Sequence, residues 1–288
     1  MTQRRIVFLS QNNMDGYVCD DDEAFGAFAA KGLDVSVISW CADEDWSAFD
    51  GVIVRSTWDY QRHADAFFSV LGDIESHTRL ANDLSLMQWN MDKVYLQSMQ
   101  AAGIPIVPTV FGNGMDASKL AALLAEADSE CVIKPTISAG AERTFRVPVA
   151  ADDAVKRSVI DGHANSAWMW QPFLSQIVEE GEYSLFYFNG VFSHAILKKP
   201  QPGDFRVQEE FGGVITSVTP SETMRSAADA VMGYLDAAPL YARVDLVRGE
   251  SDWMLIELEL IEPSLYLRQD KGASDRFAEA TRQFLSAT

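Results

Sequence analysis

The residues able to do chemistry in this chain fall into four groups, spread over its second two-thirds. Lys93 stands at a predicted helix start, and Lys134 ends the apolar run "ECVIKP" just before the small-residue loop "TISAGAERT". An ammonium beside a loop of free backbone N–H groups suits phosphate oxygens. The loop lacks the GxxxxGK[ST] pattern, which excludes a Walker loop, and a surface lysine beside a hairpin tip is the competing reading. In "WQPFLSQIVEEGEYS" (170–184), Phe173 and Leu174 could hold a nucleotide base and Glu182 or Glu179 a ribose; core packing and a solvated acidic turn are the alternatives. In "LKKPQPGDFRVQEEFGG" (197–213), Lys198, Lys199 and Arg206 bring cations together in a loop fixed by Pro and Gly. Such cations can offset charge developing on a transferring phosphoryl group, or can form a solvated turn beside Glu209 and Glu210. Last, Glu257 and Glu259 are two apart on a predicted strand and share one face. With Asp245 on the neighbouring strand they make an oxygen cluster suited to Mg²⁺ with nucleotide phosphates; an acidic solvent face is the alternative.

Elements must position these groups. The first 87 residues alternate strand and helix, with strands at "RRIVFLS", "LDVSVISW" and "FDGVIVRS", which predicts a parallel βαβ domain. Residues 88–288 read as α+β, with a central lid-like subdomain over about 108–170 and a metal-binding subdomain over 171–288. Asn189-Gly190 predicts a hairpin between "SLFYFNG" and "VFSHAILKKP". In parallel sheets ligands gather at the carboxyl ends of strands, which here carry "SQNNMDGY" and "RSTWDYQRH".

Composition narrows the partners. Lys+Arg 23 against Asp+Glu 42 gives a net charge of −19, with no basic run, so nucleic acid and anionic membrane are excluded as partners. No apolar stretch approaches the ~20 residues that span a bilayer, and the N-terminal apolar run is too short for a signal peptide. Three cysteines, Cys19, Cys41 and Cys131, stand far apart without a CxxC and read as reduced thiols, in keeping with a cytoplasmic protein.

Joined in order, the four groups resemble the ATP-grasp superfamily of carboxylate–amine ligases over about residues 88–268. "KKP", "RVQ" and "GG" supply Lys198, Pro200, Arg206, Gln208 and Gly212-Gly213 in the pattern of the glutathione-synthetase-like branch. The metal strand, Glu257-Leu258-Glu259 with Pro263, carries Glu where that branch has Asn. "RSTWDY", "WNMDKVYL" and "ELELIEPSLYL" are also similar to the subgroup that includes the cycloserine ring-closing ligase. The resemblance implies an ATP-grasp fold in which two α+β subdomains enclose ATP behind an N-terminal pre-ATP-grasp domain. It places Lys93 and Lys134 on the α- and β-phosphates, and Ser138, Ala139 and Gly140 in a loop covering them. Gln171, Pro172, Phe173 and Leu174 would bind adenine, and Glu182, in competition with Glu179 and Glu180, the ribose. Asp245, Glu257 and Glu259 would hold Mg²⁺, or Mn²⁺ in its place, with Lys198 and Arg206 at the γ-phosphate.

The implied reaction is attack of a substrate carboxylate on ATP to give an acylphosphate, which an amine then displaces to form an amide, intermolecular or within one molecule. A carboxylate kinase and a non-catalytic nucleotide-binding regulator are the alternatives. The expected partners are small amino-acid-like carboxylates and amines, and homodimers are common in the superfamily. Arg55, at a strand end, could clamp a substrate carboxylate or pair with Asp59. His194 could move a proton or be a hydrogen-bonded core residue. Trp58 and Tyr60 could line the substrate pocket or pack between domains; Thr57, Glu262 and Ser264 complete the candidate substrate set.

Overall fold

The protein is described by a computed structural model covering residues 3–138, 140, 142–250 and 252–287. Its first sheet joins β1 (Arg4–Ser10), β2 (Leu33–Ser39), β3 (Gly51–Ser56) and β4 (Leu80–Ala81) in the order β2-β1-β3-β4, all parallel. Both β1 and β3 are apolar and buried almost throughout, as a parallel sheet covered on both faces requires. Helices α1 (Phe25–Ala30) and α2 (Ala64–His77) provide cover. Next come α3 (Leu84–Met91) and α4 (Tyr95–Ala101). Asp83 caps α3 by accepting from the Leu86 N–H at 2.9 Å, satisfying one of the free donors at a helix start. Two asparagines join this region to the third sheet. Asn90 reaches the Leu258 carbonyl and the Leu260 N–H, and Asn82 the Tyr241 and Leu260 carbonyls and the Leu240 N–H.

A second, antiparallel sheet holds β5 (Val110–Asn113), β6 (Glu130–Pro135), β7 (Phe145–Pro148) and β8 (Ala167–Pro172) in the order β5-β8-β6-β7. It packs under α5 (Ala117–Ala125) and α6 (Asp153–His163), each started by an Asp cap. After α7 (Gln176–Glu179), the third sheet contains β9 (Glu182–Phe188), β10 (Val191–Lys199), β11 (Val214–Val218), β12 (Tyr241–Arg248) and β13 (Trp253–Glu259), ordered β11-β10-β9-β12-β13. Helix α8 (Glu222–Met232) precedes β12, and α9 (Ala273–Phe284) ends the fold. The β9–β10 turn uses Asn189 and Gly190, both at positive φ (48° and 72°), as a two-residue hairpin requires. Strand β11 has no counterpart among the elements read from the sequence; its alternating, half-exposed pattern makes it an edge strand with a weak apolar signal.

Helix α9 fastens the first sheet to the third. Phe277 stacks on Phe188 at 5.0 Å and meets Phe28 edge-on at 5.2 Å, inside a core that also holds Ile6, Phe8 and Tyr241. Burying one such ring contributes roughly 1.5–3 kcal/mol, so this cluster holds the first sheet, whose loops reach the cavity described next, against the third.

Candidate active site

A cavity of about 710 Å³ draws its walls from the second and third sheets and from the loops that follow β1 and β3, within the range of ~300–1,000 Å³ usual for small-molecule sites. Strand register builds its floor. Asp245 on β12 stands opposite Glu257 on β13, and Arg243 opposite Glu259. On the other side Asp245 faces Ser184 of β9, and Lys198 on β10 faces Glu182. The period of two therefore puts one row of charges on a single face across four strands.

These charges are paired. Lys93, buried ahead of α4, lies 3.1 Å from Glu257 Oε1 and donates to the Ser138 carbonyl at 2.8 Å. The Lys198 ammonium bonds Glu182 and sits 3.4 Å from Asp245 Oδ2; although burial alone would lower it, Asp245 and Glu182 hold it above its ordinary range. Arg243 donates to Asp245 at 2.9 Å and also to Glu259. Burial would raise Asp245, yet Arg243 and Lys198 hold it below the usual carboxylate range. Glu259 is pushed up to about 7, first by burial and then by Asp245 and Glu257, against the pull of Arg243. Lys134, also lining the cavity, is lowered chiefly by burial.

Asp245, Glu257 and Glu259, the expected Mg²⁺ ligands, all line the cavity, each already paired with a cation. Among the described residues no three His, Cys, Asp or Glu side chains gather to hold a metal by themselves, and Asp245 is engaged by Ser184, Arg243 and Lys198. The donor set still fits Mg²⁺, which keeps water and phosphate ligands and needs only one or two carboxylates. Glu257 and Glu259 line the cavity, and Glu259 is raised by burial first and by its acidic neighbours after that, so a cation there would relieve both.

Most nucleotide candidates meet here. Ser138, Gly140, Gln171, Pro172, Phe173, Leu174, Glu182 and Lys198 all line the cavity; Ala139 lies outside the described residues. Gln171 donates to Thr109 Oγ1 at 3.0 Å, and Phe173 carries the Arg146 guanidinium 3.8 Å from its ring centre. Glu179 is corrected: it is exposed at the end of α7 and absent from the wall, while Glu180 is taken by Arg248 at 2.8 Å. Glu182 reaches the cavity, but as a partner of Lys198. Arg206 is also in the wall, held by both carboxylate oxygens of Asp204 and lying over Phe211 at 3.8 Å. The double glycine has a steric reason: a Cβ on Gly213 would stand 2.1 Å from the Val207 carbonyl oxygen.

Three substrate candidates are corrected. Arg55 is 1% exposed, off the cavity, and donates through Nε and Nη2 to Asp21 Oδ1 at 3.1 and 2.8 Å and to the Pro263 carbonyl at 3.0 Å. Its acid is thus Asp21, while Asp59 accepts from the Trp40 indole. Thr57 is fully buried beyond the wall. His194 is 5% exposed, also off the cavity, stacked on Phe186 at 4.3 Å and pushed down to about 4 by burial. Tyr60, Glu262 and Ser264 do line the cavity. Sequence reasoning missed Arg243, although its place two residues before Asp245 on a strand signalled a shared face. It also missed Tyr17, whose ring lies 5.3 Å from that of Trp58 in the same wall.

Known proteins share the fold. A family model described as "D-cycloserine synthetase DcsG, N-terminal domain" matches residues 6–82. The cycloserine biosynthesis protein DcsG of Streptomyces lavendulae is 32% identical over 270 residues, 88% of this chain and 90% of that protein. The crystal structure of D-cycloserine synthetase DcsG matches with a TM-score of 0.86 and 29% identity, over 98% of this chain and 99% of that one. The D-alanine–D-alanine ligase of Bacillus anthracis complexed with ATP shares the fold, with a TM-score of 0.67 at 14% identity over 98% and 97% of the two chains. No helix among the described residues is long and apolar enough to cross a membrane. With its parallel N-terminal sheet, two antiparallel sheets and an enclosed row of lysines and carboxylates, the chain belongs to the DcsG family of ATP-grasp enzymes, ATP-dependent carboxylate–amine ligases that form C–N bonds.

Proposed function

We propose that this ligase closes a ring within an amino-acid derivative, as the name D-cycloserine synthetase states for its relative. The make-up of the cavity supports it. The cation and carboxylate row opens into the same space as Gly16, Tyr17, Trp58, Tyr60 and Gln61 of the N-terminal domain, the part that matches the DcsG family model.

In this reading Lys93 and Lys134 hold the α- and β-phosphates of ATP, with Ser138 and Gly140 beside them, and Gln171 to Leu174 face the adenine. A carboxylate oxygen of the substrate attacks the γ-phosphorus, and the bond to ADP breaks with its electron pair leaving on ADP. Lys198 and Arg206 offset charge on the transferring group, a step governed by positioning and electrostatics. Mg²⁺ supplies charge neutralisation of the phosphate oxygens; Glu257 and Glu259 would hold it, with Asp245 in the same row, and Mn²⁺ of like oxygen preference would take its place. A nitrogen of the same substrate then adds to the acyl carbon, the C–O bond to phosphate breaks, and the nitrogen's proton passes to water. The protein needs no nucleophile of its own, consistent with His194 lying off the cavity.

ADP release over a panel of amino acids and O-substituted serines with Mg²⁺, with and without hydroxylamine, tests the reading. Ring closure predicts ADP and a cyclic product by mass spectrometry with no added amine, and a hydroxamate when hydroxylamine intercepts the acylphosphate. ADP that forms only when a second amine is supplied would mean linear ligation instead.

A further inference from the structure

The acid groups of the cavity wall differ in one respect. Glu142, Glu182, Glu209, Asp245, Glu257 and Glu259 each have a lysine or arginine within ion-pair distance. Glu210 is exposed and accepts from the Val18 N–H at 3.2 Å. Glu262 alone is half-buried without a lysine, arginine or histidine within 4.0 Å among the described residues. The side-chain donor it has is neutral, Gln61 Nε2 at 3.1 Å from Oε1. The fold nonetheless holds it in place from the N-terminal domain: Trp58 Nε1 donates to the Glu262 carbonyl at 3.0 Å, and Arg55 Nη2 to the next carbonyl, of Pro263, at 3.0 Å. A carboxylate kept in a partly desolvated wall without a counter-charge is costly, and a cation entering the cavity would remove that cost.

The surroundings suit a small organic cation. Trp58 and Tyr17 lie 5.3 Å apart with their planes inclined at 33°, and Tyr60 and Tyr266 line the same cavity. Aromatic faces attract ammonium groups, more so where water is excluded. Tyr17 is carried by the segment after β1, and that segment is tied down at Asp20, whose carboxylate lies 3.2 Å from Arg268; Arg268 in turn bonds Glu209 of the cavity wall. Burial first, then Glu259 and Glu257, push Glu262 up to about 8 against the pull of Lys93: without a cation it stays largely protonated near neutral pH, and an entering ammonium would favour its ionised form.

We propose that Glu262, with the rings of Trp58 and Tyr17, is the subsite for the substrate's ammonium group, which restricts the substrate class to amino acids whose amine is free. This rests on the ligase reading above. In such a subsite Glu262 binds charge and Gln61 and Trp58 position it; neither reacts.

The test measures binding to protein loaded with ADP and Mg²⁺, by calorimetry, in the wild type and Glu262→Gln. The probes are D-cycloserine and D- and L-serine, each set against its des-amino counterpart, isoxazolidin-3-one or 3-hydroxypropionate. The wild type should bind at least one amine-bearing probe about 10-fold or more tightly over its counterpart, and Glu262→Gln should bring that ratio close to 1 with ADP affinity and Tm unchanged. The proposal is overturned if no amine-bearing probe binds, if the wild type does not discriminate, or if the ratio survives the substitution. Failure of the ligase reading would appear separately, as wild-type protein that does not bind ADP with Mg²⁺.

Discussion

Replacing His194 separates a proton carrier from a core residue. The Leu265 carbonyl can only accept, so His194 Nε2 donates to it at 2.9 Å, and neutral Nδ1 accepts from Ser193 Oγ, also at 2.9 Å. Protonating Nδ1 would destroy that acceptor and charge a ring stacked on Phe186 and 5% exposed, which is why the folded value falls to about 4 from an ordinary 6.5. Between these values the unfolded chain binds more protons than the native one. Stability therefore rises with pH across that window, and is lost as pH falls below 6.5 until the loss levels off near 4. At ~1.36 kcal/mol per pH unit the whole window is worth about 3 kcal/mol, and about 2 kcal/mol is lost between pH ~7.5 and pH ~5. His194→Gln keeps a donor for Leu265 without the titration. Urea unfolding at the two pH values should show the variant losing about 2 kcal/mol less than the wild type, other titrations cancelling between the pair. Its kcat at pH ~7.5 should stay within about threefold, since the ring does not reach the cavity. An unchanged pH loss, or a kcat reduced by orders of magnitude with stability intact, would refute the structural assignment.

Arg55→Ala should leave Asp21 buried without its cation and cost about 3–5 kcal/mol of stability, read as a lower urea midpoint. The same variant should raise the substrate KM of its folded fraction only about 10-fold or less, through the loosened Pro263 carbonyl beside Glu262; a rise of about 100-fold or more would restore the clamp role. Glu257→Gln should lower kcat about 100-fold or more and raise the Mg²⁺ concentration needed for half-maximal ADP release, with Tm nearly unchanged because its side chain is only partly buried. Equal Mg²⁺ dependence in variant and wild type would remove Glu257 from the metal set. Gly213→Ala must shift the 207–213 turn to relieve the 2.1 Å contact and move Arg206 with it, so ADP release should drop about 10-fold or more while the urea midpoint moves little. Wild-type rates would show that the turn yields without disturbing Arg206.

What could be read from the sequence was local. Strand alternation was enough to put Glu257 and Glu259 on one face, and Asn189-Gly190 to join β9 to β10. Register between strands distant in the chain was not legible, and register supplies the partners: Lys198 faces Glu182, and Arg243 stands between Asp245 and Glu259. The choice among Glu179, Glu180 and Glu182 turned on where α7 ends and β9 begins, a one-residue matter that composition cannot resolve. Arg55 shows the same limit in another form. Its position at a strand end suggested a ligand, but the acid it meets is 34 residues earlier, brought back by the segment after β1.

In a chain of net charge −19, cations that face the cavity are held by acids. Three of the cavity's cations hold carboxylates: Lys93 has Glu257, Lys198 has Glu182 and Asp245, and Arg243 has Asp245 and Glu259. Phosphate oxygens that draw Lys93 and Lys198 away strip the counter-charge from those acids, and an uncompensated carboxylate in a low-dielectric wall costs several kcal/mol. A divalent cation arriving with the nucleotide restores the balance, so each should tighten the other's binding, and by linkage by the same factor. A nucleotide without metal should bind more weakly, because it adds negative charge where Lys93, Lys198 and Arg243 are already committed to carboxylates. The substrate side repeats the logic with Glu262, whose missing cation would come with the amine. An acidic cavity of this kind favours joint occupancy: nucleotide, metal and ammonium together balance charges that any one of them alone would leave uncompensated.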